Sequence, residues 1–70
     1  MNRISVESSN LASVGYDEST STLEIEFRSG GIYQYFGVPQ NIYQELMNAS
    51  SKGTYFDQNI KKVGYPFSKV

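Results

Sequence analysis

Leu23-Glu24-Ile25-Glu26-Phe27 alternates apolar and acidic side chains without interruption. That is the pattern of a β-strand with one buried face and one wet face. Upstream, Ala12, Val14 and Tyr16 occupy one phase of a second alternation, and Ser13 and Gly15 the other. The polar run Asp17-Glu18-Ser19-Thr20-Ser21-Thr22 separates the two and reads as a turn. With Tyr16 opposite Leu23, Val14 faces Ile25 and Ala12 faces Phe27, all on one side. A slip of one residue would turn the whole set to the other face, so the pattern predicts the register.

Ser29-Gly30-Gly31 marks the next reversal. A two-residue loop would pair Phe27 with Ile32 and turn Tyr33 and Tyr35 to the acidic face. A three-residue loop with a glycine in the left-handed region pairs Phe27 with Tyr33 and Ile25 with Tyr35, and it is the register preferred here. It turns the two tyrosines inward and sets Ile32, Gln34 and Phe36 beside Glu24 and Glu26. Beyond it, Pro39 suits a first helical turn. Ile42, Leu46 and Ala49 recur at helical spacing, with Tyr43 and Met47 flanking them. Gly53 reads as the stop. A second short helix is expected from about Tyr55 to Lys62, capped by Thr54, with Phe56, Ile60 and Val63 turned inward and Gly64 and Pro66 ending it. Ile4 and Val6 alternate with polar neighbours and suggest a short additional edge strand. The expected fold is α+β: a three- to four-stranded antiparallel β-meander followed by two short helices packed on one face.

Composition narrows the chemistry. The 70 residues form one domain, 1–70, with six Tyr and four Phe but no Trp, His or Cys. A chain this small buries only about 60% of its unfolded surface. Disulfides and the usual nitrogen and sulfur metal ligands are absent, so neither a metal nor a cofactor is expected. Packing must hold the fold, alone or with self-association into a homo-oligomer. Large rings bury roughly 150–250 Å² each, and ten of them exceed what so small a core hides. Some are therefore expected at the surface or against a partner subunit. The lack of cysteine fits a reducing cytoplasm. No signal sequence opens the chain, and no apolar run approaches the ~20 residues of a membrane span. A soluble, cytoplasmic protein is expected.

The net charge of −1 is not that of a strong nucleic-acid binder. It is unevenly spread, however. Lys52, Lys61, Lys62 and Lys69 stand against Asp57 alone in residues 52–70, whereas the rest of the chain is acidic. Such a cluster either faces an anion or is a solvated helix end.

Catalysis finds little support. There is no histidine to activate a serine and no thiolate, so the expectation is a protein that is not an enzyme. Glu24 and Glu26 read as a solvent face. Tyr33 and Tyr35 are either core aromatics or a platform for a planar ring. Ser50-Ser51-Lys52-Gly53-Thr54 is either a phosphate-friendly turn before a helix N-terminus or a glycine C-cap followed by a threonine N-cap. Lys61, Lys62, Tyr65 and Phe67 interleave basic and aromatic residues, as nucleic-acid contacts do and as a pinned helix end does.

Several of these elements occur together in one order: a Ser-rich start, Val14-Gly15-Tyr16-Asp17, Leu23-x-Ile25-x-Phe27, Gly31-x-Tyr33-x-Tyr35, Val38-Pro39, Ala49-x-Ser51-x-Gly53-x-Tyr55-Phe56, then Ile60. Over roughly residues 6–66 the chain resembles the KTSC domain, named for its place at the C-terminus of some lysyl-tRNA synthetases and found also as a free-standing small protein of bacteria and phages. The synthetase context implies RNA binding, from which this slightly acidic chain departs.

The leading expectation is a non-catalytic module for a nucleotide-type ligand, either a small nucleotide sequestered by a homo-oligomer or a short RNA. Tyr33, Tyr35 and Tyr55 would contact the ring. Ser51, Lys52, Gly53, Thr54 and Lys61 would take the phosphate. The alternative is a protein–protein or self-association module using Ile32 and Phe36 on the outer sheet face.

Overall fold

A computed structural model describes residues 2–70. Five strands form one antiparallel sheet in chain order: β1 (Arg3–Ser5), β2 (Leu11–Asp17), β3 (Thr22–Phe27), β4 (Ile32–Phe36) and β5 (Phe67–Lys69). Helix α1 (Gln40–Asn48) and helix α2 (Lys52–Phe56) follow β4, and α2 continues as a π-helical segment over Asp57–Lys61. The architecture is α+β as expected, with one strand more than the meander predicted from the pattern. The extra strand is β5, too short and too polar to show an alternation of its own.

The β2–β3 register matches the expectation at Tyr16↔Leu23 and Val14↔Ile25. It departs at the far end, where Leu11, not Ala12, faces Phe27 across a bulge between Leu11 and Ser13. The larger side chain takes the inward position and is fully buried, because a leucine removes more apolar surface from water than an alanine. The bulge absorbs the extra residue and sharpens the local twist.

The β3–β4 loop is a three-residue one, Arg28-Ser29-Gly30. The Phe27 N–H donates to the Gly31 carbonyl (2.8 Å) and the Gly30 N–H to the Phe27 carbonyl (2.9 Å). Gly30 alone carries the positive φ, at 110°. The pairs are Ile25↔Tyr33 and Leu23↔Tyr35, two residues off the predicted register. A shift of two preserves the faces, so Tyr33 and Tyr35 still point inward, and Ile32 and Gln34 still lie beside Glu26 and Glu24.

Leu23, Ile25, Val14, Leu46 and Ile60 are fully buried between the sheet and the helices. Each contributes about 1.5–3 kcal/mol relative to exposure. Pro39 stands one residue before α1, as its N-cap, in extended conformation. Three helix-end expectations fail. Gly53 does not stop α1, because Ala49 closes it with its N–H on the Leu46 carbonyl (3.2 Å). Gly53 lies instead in the first turn of α2, where a Cβ would stand 3.4 Å from the side chains of Ser8 and Asn10. The N-cap of α2 is Ser51, not Thr54, and its hydroxyl accepts the Thr54 N–H (3.4 Å). Val63, expected inside, lies beyond the helix and is exposed.

The outer sheet face is less wet than the alternation suggests. Glu24 is only 6% exposed. Arg3 of β1 pairs with it, and the Gln34 amide donates to its other oxygen (2.8 Å). Arg3 also donates to the Ser13 hydroxyl (2.9 Å), which in turn donates to Glu26 (2.8 Å). This network ties β1, β2, β3 and β4 together across the face.

Candidate functional site

Five rings close into a circuit on the inner face. Phe27 meets Tyr33 at 5.6 Å between ring centroids, Tyr33 meets Phe67 at 6.1 Å, and Phe67 meets Tyr35 at 5.5 Å. Tyr35 meets Phe56 at 5.4 Å, and Phe56 returns to Phe27 at 5.5 Å. Three contacts of this circuit are edge-to-face, an arrangement favoured by the ring quadrupole. The circuit exists because β3, β4 and β5 present every second residue on one face, while α2 lowers Phe56 onto them. Phe67 faces the same side as its partner Tyr35 but stays 62% exposed. The helical layer thus leaves this corner of the sheet uncovered.

The result is a cleft of about 380 Å³ lined by all five rings with Ser29 and Lys61. That volume falls in the range of small-molecule sites. The π-helical segment sets Lys61 at its rim. The Lys62 N–H bonds the Asp57 carbonyl five residues back (3.0 Å), the wide turn that defines such a segment. The ion pairs among the described residues are Arg3–Glu24 and Lys62–Asp57, so Lys61 has no carboxylate partner there. Burial pushes the Tyr35 phenol above its ordinary value, with a smaller contribution from Tyr33. The phenol, neutral at physiological pH at its ordinary value of 10.0, stays so.

The expected site residues divide. Tyr33, Tyr35 and Lys61 come together at this cleft. Gly53 lines an adjoining hollow with Ser9, Asn10, Arg28 and Asp57. Ser51 and Thr54 are exposed and satisfy each other as a helix cap, the Ser51 hydroxyl donating to that of Thr54 (2.9 Å). Lys52 donates to the Ala49 carbonyl (3.2 Å), complementing the end of α1. Tyr55 turns to α1 and donates to Glu45 (2.8 Å). On the outer face Phe36 is 36% exposed, whereas Ile32 is half-buried. Gln34, between them on the strand, is engaged with Glu24.

Sequence reasoning did not gather Phe27, Phe56 and Phe67 into the site. Phe27 and Phe56 carry ordinary core periodicity, and the register that unites them with Phe67 depends on β5. Among the described residues no helix is long and apolar enough to cross a membrane.

Comparison with known proteins gives a consistent result. A sequence model of the KTSC domain matches residues 7–65. A crystal structure of a KTSC domain protein from Yersinia pestis is 45% identical and superposes with a TM-score of 0.94, covering 99% of this chain and 96% of that one. A protein of Stutzerimonas stutzeri is 40% identical over 70 residues, 100% of this chain and 99% of its own. A lysine–tRNA ligase of Nostoc punctiforme is 46% identical over 55 residues, 79% of this chain but 10% of the ligase.

Proposed function

Because this chain belongs to the KTSC domain family, we propose that it is a small non-catalytic binding module whose aromatic cleft receives a nucleotide-type ligand. The observation that carries the reading is the five-ring circuit opening beside Lys61. A base stacked on aromatic side chains gains roughly 1–3 kcal/mol, and the Lys61 ammonium at the rim, without a carboxylate partner among the described residues, suits the attached phosphate. The Ser51–Thr54 turn has no part in this version, because its polar groups already cap α2. Lys61 takes the anion alone.

A small nucleotide fits a net charge of −1 better than a long polyanion does. Short RNA remains the second source of the same chemistry, since relatives of this domain occur within lysine–tRNA ligases. A home in the cytoplasm and a homo-oligomeric state go with the sequestration version of this reading. The competing protein-contact reading rests on Phe36, the exposed apolar ring of the outer face.

Native mass spectrometry of gently purified protein tests the proposal, followed by thermal shift with nucleotides and RNA oligomers. A discrete species carrying a small co-purified mass, lost on Lys61→Ala, is the expected result. Absence of any thermal shift across both ligand sets overturns it. Loss of self-association on Phe36→Asp without loss of nucleotide binding would assign the outer face to a protein contact.

A further inference from the structure

The aromatic cleft has a neighbour of different chemistry. A second hollow of about 380 Å³ adjoins it, and Phe27, Ser29, Phe56 and Lys61 line both. One ligand can therefore span the two. Where the first hollow is walled by rings, the second is walled by Ser9, Asn10, Arg28, Gly53 and Asp57 over the floor of Phe27 and Phe56. Arg28 is engaged, its guanidinium donating to the carbonyls of Ser8 and Val6, so it holds the β1–β2 loop in place. Gly53 lies close to that loop: a Cβ there would stand 3.4 Å from the side chains of Asn10 and Ser8.

Besides the Lys61 ammonium at the rim shared with the aromatic cleft, what is left lining the hollow is an amide, two hydroxyls and one carboxylate. Among the described residues the Asp57 carboxylate accepts no hydrogen bond; Lys62 stands 3.6 Å away, on a side chain that is largely exposed. A carboxylate repels a phosphate and accepts O–H groups. With Lys61 at the shared rim left to the phosphate and Arg28 held by the loop carbonyls, a carboxylate with neutral donors and acceptors over an apolar floor suits a polyol whose carbon face rests on the rings. The order of the two hollows, ring-binding then hydroxyl-binding, is the order of base and sugar in a nucleotide.

We infer that the adjoining hollow is a ribose subsite, in which Asp57 accepts hydrogen bonds from the vicinal 2′- and 3′-hydroxyls and Asn10 contacts the sugar beside it. Acidic side chains hold ribose hydroxyls in dinucleotide-binding folds for the same reason: a carboxylate offers two acceptor oxygens at the spacing of a cis-diol. The inference rests on the reading of the aromatic cleft as a nucleotide site and adds selectivity to it. The domain distinguishes ribonucleotides from their deoxy forms.

The test is calorimetric titration of the intact protein with the four ribonucleoside 5′-monophosphates and with their 2′,3′-dideoxy counterparts. The expected result is that at least one ribonucleotide binds roughly tenfold or more tightly than its dideoxy form, as hydrogen bonds to a charged acceptor would give. In Asp57→Asn the preference should shrink to within about threefold, with the dideoxy affinity little changed. Asp57 makes only a surface ion pair, so this variant should fold, and the ligand comparison on the unaltered chain does not depend on it.

Equal affinity for ribo and dideoxy forms in the unaltered chain overturns the subsite while leaving the aromatic cleft standing. A preference that survives Asp57→Asn overturns the role given to Asp57. No binding by any nucleotide overturns both the subsite and the cleft reading. A free nucleotide and the 3′ end of an RNA present the same diol. Competition by a short RNA with a free 3′-diol, and not by its 3′-phosphorylated form, supports the subsite and names RNA ends as the source.

Discussion

Glu24 shows how one residue is governed by distant ones. The Gln34 amide holds its carboxyl below the ordinary value of 4.5, the hydrogen bond and charge of Arg3 add to this, and burial opposes both. A carboxyl depressed in the folded state contributes stability that is present above its unfolded value and lost as the pH falls through the folded one. Unfolding free energy should therefore decline as the pH drops below 4.5. Asp17, held down chiefly by the Ser19 hydroxyl, adds a slope of the same sign from the end of β2. Urea midpoints across that range should fall less steeply in Glu24→Gln than in the unaltered chain. Parallel slopes would mean that the network carries no linkage to protons. The alternation in β3 said that Glu24 and Glu26 share a face, which they do. It could not say that Arg3, twenty-one residues away, would lie over that face, because the cover depends on β1 pairing with β2.

Between elements, the contact of α1 with α2 makes a comparable claim. Tyr55 donates to Glu45 across the helix pair at 2.8 Å. Burial, and then that hydrogen bond and the charge of Glu45, push its phenol up to about 12. A phenol raised in the folded state contributes stability that is fully present below its unfolded value of 10.0 and lost as the pH rises through about 12. Tyr55→Phe should remove the most alkaline component of the phenolate absorbance titration and lower stability at neutral pH by roughly 0.5–1 kcal/mol. A titration unchanged at its alkaline end would show that the contact does not hold in solution. Elements with a strong period were legible: β2, β3, β4 and the Leu46 face of α1. Their exact pairing was less so. Only the parity of a register shows in a two-residue repeat, so the β3–β4 pairing came out two residues away with its faces correct. Helix ends depend on competing caps, and Ser51 and Thr54 are equally plausible on side-chain chemistry. The Phe56–Ile60 spacing marked a helix there but not its π-helical winding, and β5 carries no periodic signal at all.

At the scale of the whole molecule, the fold and the candidate site draw on different parts of the same sheet. The core lies over β2, β3 and β4, where Leu11, Val14, Leu23 and Ile25 are shut away from water. The cleft lies where the helical layer ends, and β5 supplies its outermost ring. Tyr33 and Tyr35 belong to both, which is why the sequence left them open between core and platform. Tyr35 is buried against Phe56, while the cleft reaches the exposed faces of Tyr33 and Phe67. Phe67→Ala separates the two roles. The ring is 62% exposed, so its removal should lower unfolding free energy by less than about 1 kcal/mol. A ligand that stacks on it should lose about 1–3 kcal/mol of binding, roughly five- to 150-fold in affinity. Chemical denaturation and calorimetric titration on one preparation measure both. If stability falls by several kcal/mol while affinity holds, Phe67 is a core residue and β5 a structural clasp. If affinity falls and stability holds, the exposed corner of the sheet is the part of this domain that meets its ligand.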